Sequence, residues 1–125
     1  MQNLIKEFMA QKRFAIIGAT DDPQKFGNKI LNNLIARGYE VYPVNPKLGK
    51  IEGIRCYPSI SEVPVKVDVV DFVVPPKVTE ATLPECRQLG LNRIWLQPGA
   101  ESAAAIAYCR ENQLGLVYND CVMTN

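Results

Sequence analysis

The spacing of apolar positions changes period several times along the chain. Leu4, Ile5, Phe8 and Met9 fall at helical intervals, which predicts an amphipathic helix packed on something larger. Phe14-Ala15-Ile16-Ile17-Gly18 is a continuous apolar run closed by glycine, the pattern of a strand buried on both faces of a parallel sheet. Beyond Gly27, residues Ile30, Leu31, Leu34 and Ile35 line one face of a second helix. Gly38 stands where the left-handed residue past its end is needed. The next strand covers 41–44, and its Pro43 has no N–H for the ladder. That strand is either frayed there or needs no bond at that point. Further strands are expected at 67–74, 93–96 and 116–118, with a short one at 54–57 beside the second. A helix is expected over 102–110, with Ala103, Ile106, Ala107 and Arg110 on one side. Another falls within 78–89, where Pro84 must sit in the first turn or kink it.

Strands alternating with helices place the chain in the α/β class. The expected architecture is a three-layer, Rossmann-like, doubly wound parallel sheet of about five strands with right-handed crossovers. A length of 125 residues suits a single domain over 1–125 with its own core. No repeat or linker divides it, and the charged amino-terminal stretch lacks the apolar core of a signal peptide. Trp95 falls on a strand and reads as core.

Composition then removes whole classes of chemistry. Fourteen Lys and Arg against thirteen Asp and Glu give a net charge of +1, which argues for neither a nucleic-acid nor a membrane partner. The chain has no histidine, so a histidine base, a phosphohistidine and a His-ligated metal are closed to it acting alone. Cys56, Cys86, Cys109 and Cys121 form no C-x-x-C pair. They read as reduced thiols in a cytoplasmic protein.

The loop after the first strand, Gly18-Ala19-Thr20 through Lys25-Phe26-Gly27, is the primary candidate for ligand contact. In open α/β sheets ligands lie beyond the carboxyl ends of the strands. Gly18 allows a sharp turn and close backbone approach. The following helix start presents N–H groups to phosphate, with the Thr20 hydroxyl and the Lys25 charge nearby. The other reading is an ordinary connection in which Gly18 serves only the turn. The loop is not the dinucleotide fingerprint G-x-G-x-x-G, since Thr20 occupies the second glycine position. An NAD site also wants an acid at the end of the second strand. Glu40 stands at the wrong end, and Asn45-Pro46-Lys47 follows the right one. A lysine there suits a ribose carrying its own phosphate, as in NADP or coenzyme A, unless Lys47 is simply a solvated loop residue.

Six blocks in order along the chain, GATDDPQKFG, YPVNPK, CYPSISEVP, DFVVPP, IWLQPGA and NDC, resemble the small bacterial coenzyme A-binding domain proteins. Those proteins in turn resemble the CoA-binding amino-terminal domain of the succinyl-CoA synthetase α subunit. The resemblance implies a Rossmann-like fold holding coenzyme A across the strand ends. It places Gly18, Ala19 and Thr20 against the pyrophosphate, with Lys25 and Phe26 nearby. Asn45, Pro46 and Lys47 take the adenosine end, Lys47 meeting the 3′-phosphate. Val73, Val74, Pro75 and Lys77 flank the adenine, the alternative being that the prolines there simply stop a strand. Gln97 and Gly99 point toward the thiol end, where Gly99 can expose its amide and Glu101 or Ser102 can cap the next helix. Cys121 lies near the coenzyme A sulfur or is structural. Thr20 replaces the serine many of these proteins carry, so the phosphate contacts are expected to be rearranged.

The synthetases work through a phosphohistidine in a second domain, which this chain lacks, so ligase activity does not transfer. The expected function is binding of coenzyme A or a short acyl-CoA without catalysis. One alternative is an NADP-binding oxidoreductase, disfavoured because no Tyr-x-x-x-Lys pair occurs. Another is a detached regulatory subunit of a CoA ligase or acyltransferase, with a protein partner or a second copy as its associate.

Overall fold

In the computed structural model, which describes residues 1–125, the apolar runs form strands Arg13–Ile17 (β1), Glu40–Val44 (β2), Lys50–Ile51 (β3), Ile54–Arg55 (β4), Val69–Phe72 (β5), Arg93–Leu96 (β6) and Gly115–Val117 (β7). Helices Gln2–Met9 (α1), Phe26–Ala36 (α2), Pro76–Gln88 (α3) and Ala103–Glu111 (α4) alternate with them. Five strands make one parallel sheet in the order β2-β1-β5-β6-β7. The chain steps outward from β1 to β2, then returns across β1 to build the other half. The switch in direction therefore lies between β1 and β5, where open sheets bind ligands.

Both faces are covered, as the doubly wound pattern requires. Ile5 and Phe8 of α1 and Ile30, Leu31 and Leu34 of α2 pack with Phe14, Ile16, Val69 and Trp95 on one face. Leu83 and Cys86 of α3 and Ala105 and Cys109 of α4 pack with Ala15, Ile17, Val70 and Phe72 on the other. Trp95 is fully buried core, and its Nε1–H donates to the Asp120 carbonyl at 2.8 Å. The amino-terminal helix thus packs on its own sheet.

Local differences from the sequence expectation have physical causes. The 67–74 strand shortens to Val69–Phe72, because Pro75 caps α3 and Pro76 begins it. Residues 54–57 do not add a full strand to the sheet. Ile54–Arg55 pairs antiparallel with Lys50–Ile51, and only Tyr57 bridges Val44. Pro43 is tolerated because its carbonyl faces outward and accepts from Tyr57 N–H at 2.9 Å. Its own missing N–H would point the same way, off the edge of the sheet.

Pro84 lies not in the first turn but in the interior of α3. It is on the exposed face, as is Glu80, whose carbonyl loses its donor there and can bond water instead. The stripe of Ala103, Ala107 and Arg110 on α4 faces outward, whereas Ala105 and Cys109 face the sheet. Alanine contrasts too weakly with its neighbours for periodicity to mark the buried side. Ser102 caps α4, its hydroxyl accepting from Ala105 N–H at 3.0 Å. No helix is long and apolar enough to cross a membrane.

Candidate functional site

The β1–α2 loop is built by close backbone approach. Gly18 adopts φ +93°, and a Cβ there would fall on the Val73 carbonyl oxygen and 2.6 Å from Val74 Cγ1. A Cβ on Gly27 would fall on the Gly18 carbonyl oxygen. These two glycines therefore let β1, the β5–α3 connection and the first turn of α2 converge at the switch point. Gly18 N–H donates to the Val44 carbonyl at 3.0 Å. The N–H groups of Ala19, Thr20, Phe26 and Gly27 donate to no backbone carbonyl. Lys25, at the N-cap of α2, offers its first turn no side-chain cap. Free amides at a helix start favour an anion.

Two hollows flank this loop. The larger, about 490 Å³, is walled by Gly18, Lys25, Asn45, Pro46 and Lys47 on one side and by Val74, Val78, Thr82 and Glu85 on the other. The smaller, about 170 Å³, is lined by Phe26, Ile30, Val73, Gln97, Pro98 and Cys121. Phe26 is 65% exposed, an aromatic ring standing at the mouth of an apolar hollow. Consecutive residues divide between them: Val73 and Phe26 face the smaller, Val74 and Lys25 the larger.

The remaining expected residues are placed as follows. Ala19 is fully buried. Its carbonyl accepts from Asn45 Nδ2 at 2.9 Å, while Asn45 Oδ1 accepts from Lys47 N–H at 2.8 Å. Asn45 thus ties the two ligand-facing loops together. The Thr20 hydroxyl accepts from Asp22 N–H at 3.2 Å and shapes the turn. Pro75 and Lys77 are exposed at the start of α3 and line neither hollow. The Gly99 amide, expected to be open, is held by the Glu101 carboxylate at 3.0 Å. Gln97 turns its side chain inward, only 2% exposed. Its Nε2 donates to Asp71 Oδ1 at 2.6 Å, and its Oε1 accepts from Val122 N–H at 3.1 Å. Glu40 sits at the far end of β2, bonded by Tyr42 and paired with Arg13 and Lys12. The Tyr42 hydrogen bond, more than the two cations, lowers its carboxyl.

Several residues at the site escaped the sequence reading. Asn28, nearly buried on the apolar face of α2, donates to the Thr20 carbonyl at 2.9 Å and to Glu52 at 3.2 Å. A polar residue interrupting an otherwise apolar helix face was the available signal. Asp71 is fully buried in β5, and its Oδ2 has no partner. Burial pushes its carboxyl up to about 7 despite the Gln97 bond. An aspartate inside an apolar strand run was its mark. Ser59, Thr82 and Glu85 come to the larger hollow from elements distant in sequence, and no local pattern announces them. All four cysteines are free, with Cys121 half-buried and the others buried. Burial pushes the Cys86 and Cys109 thiols up to about 12 and about 11.

Residues 12–125 match the family model described as a CoA binding domain. The chain is 36% identical over 92 residues to the α subunit of an ADP-forming acetate–CoA ligase II from Pyrococcus furiosus, covering 73% of this chain and 20% of that one. A solved conserved hypothetical protein from Pyrococcus furiosus superimposes with a TM-score of 0.88 at 41% identity, over 90% of this chain and 97% of that one. A hypothetical protein from Pyrococcus horikoshii OT3 gives a TM-score of 0.92 at 32% identity, over 98% and 87% of the two chains. The chain spans about a fifth of the length of the curated ligase subunits it matches.

Proposed function

We propose, from the premise that this chain belongs to the CoA binding domain family, that it binds coenzyme A or a short acyl-CoA at the carboxyl ends of its strands and performs no catalysis of its own. The observation that carries this reading is the pair of hollows on either side of the glycine loop. A ligand with a bulky phosphorylated nucleoside, a central pyrophosphate and a thin arm ending in sulfur suits that division. The nucleoside takes the larger hollow, Val74 offering an apolar surface to the purine. The pyrophosphate takes the free amides of Thr20, Phe26 and Gly27 with the Lys25 charge beside them. Lys47 meets the ribose 3′-phosphate. The arm passes over Phe26 toward Val73, Pro98 and Cys121 in the smaller hollow.

Gln97 gives one amide hydrogen to Asp71 and accepts from Val122 N–H with its carbonyl. It holds Pro98 and the carboxy-terminal turn in place while lining the smaller hollow that takes the arm.

Calorimetric titration with CoA, 3′-dephospho-CoA, acetyl-CoA and NADP tests the reading. Micromolar CoA binding, weaker without the 3′-phosphate, is the expected result. Binding of NADP alone would replace it with an oxidoreductase. Lys47→Ala should weaken CoA about fivefold and leave dephospho-CoA nearly unchanged, the scale of an exposed charge pair. Equal loss for both ligands removes Lys47 from the 3′-phosphate.

A second reading is a detached subunit whose association depends on CoA. The match to about a fifth of larger CoA ligase chains favours it. Co-purification of a partner that requires added CoA would support it, and the same retention with and without CoA would count against it.

A further inference from the structure

We propose that Glu85 reads the base of the bound nucleotide, selecting adenine by accepting a hydrogen bond from its exocyclic amino group. This rests on the reading that the adenosine end occupies the larger hollow. Val78, Thr82 and Glu85 stand four and three residues apart on α3 and all line that hollow. Such spacing puts them in one row along a helix face. With Val74 leading into the row, the wall begins apolar and ends in a carboxylate. The Thr82 hydroxyl already donates to the Val78 carbonyl at 2.8 Å. The wall's remaining charged group is Glu85, half-buried and joined to no cation in any ion pair of the chain.

A carboxylate is an unusual lining for a cleft that takes an anion. Lys47, Lys25 and the loop amides provide for the phosphates on the opposite side. An acid on the α3 wall repels phosphate and turns the ligand around. Its lone pairs need a donor, and the part of the ligand left for that wall is the heterocycle. Adenine presents an amino group on its six-membered ring. A purine that carries hydrogen in place of that amino group would leave the carboxylate facing a ring carbon with no donor for it. The polarity of the hollow therefore orients the nucleotide and reads the amino group of its base together.

The test compares CoA with its purine analogue, in which the adenine amino group is replaced by hydrogen. Wild-type protein should prefer CoA by about tenfold or more, the usual scale of a hydrogen bond to a charged group. Glu85→Gln offers both a donor and an acceptor and should reduce the preference to less than about threefold. Glu85→Lys presents only donors and should abolish it. Circular dichroism and thermal melting confirm that both variants fold, since Glu85 holds no ion pair whose loss would disturb α3. A wild-type protein indifferent to the base, or variants that keep the wild-type ratio while binding CoA, would overturn the assignment of Glu85. Failure of the wild-type protein to bind CoA at all would overturn the coenzyme A reading itself, and the base assignment with it.

Discussion

Gly18→Ala is expected to destabilise the protein by more than about 3 kcal/mol, enough to leave much of the chain unfolded at physiological temperature. Two costs combine. The backbone at Gly18 lies at φ +93°, a conformation that costs an L side chain about 1–3 kcal/mol. The added methyl would also overlap the Val73 carbonyl oxygen and crowd Val74. Neither backbone can retreat, because Gly18 N–H is bonded to Val44 at 3.0 Å and Val73 N–H to Ile17 at 2.8 Å. Relieving the overlap means parting β1 from its neighbour at the switch point. Gly38→Ala supplies the control. Its φ is +90° with nothing within 4 Å of the added atom, so it bears the conformational cost alone, about 1 kcal/mol. Urea unfolding of both variants separates the two contributions. Equal losses would show that the approach to Val73 is not what demands glycine at position 18.

Asp71→Asn should remove a loss of stability that the wild-type protein undergoes as pH rises. Burial raises the Asp71 carboxyl from 3.8 to about 7 in the folded chain. Between those values the unfolded chain has released its proton while the folded chain still holds it, so folding takes up a proton and weakens with increasing pH. The contribution is fully present below 3.8, falls through the interval and levels off above about 7. One unit of displacement corresponds to about 1.4 kcal/mol, so the decline is on the order of 4 kcal/mol. The substituted amide is neutral at every pH and keeps an oxygen for Gln97 Nε2. The variant should therefore approach or exceed wild-type stability at pH 8 and gain nothing at pH 4. Denaturation midpoints across that range decide the matter. Parallel profiles for the two proteins would mean that Asp71 does not carry the titration.

The chemistry of the candidate site divides along a physical line. Gly18, Thr20, Lys25 and Lys47 stand in loops, where turn-forming glycine, prolines and isolated charges are conspicuous in the chain itself. Asn28, Asp71 and Glu85 stand inside regular elements. There a polar residue has meaning only through what packs against it. Gln97 shows the same limit from the other direction. It follows a strand at the expected end of the sheet, yet its side chain turns into the interior toward Asp71.

The order of elements, the α/β class, the glycine loop and the block pattern of the CoA binding family were all present in the sequence alone. Each depends on residues close together in the chain: a run of apolar side chains, a period of two or about 3.6, a glycine where a turn must be tight. Tertiary structure decided which side of α4 meets the sheet, where Pro84 falls in α3, and that Asp71 is buried against Gln97. It also brought Glu85 across the cleft from Lys47, far away along the chain. Burial and cleft formation depend on contacts between distant segments, and the free energy of a charge is set by the water those segments exclude.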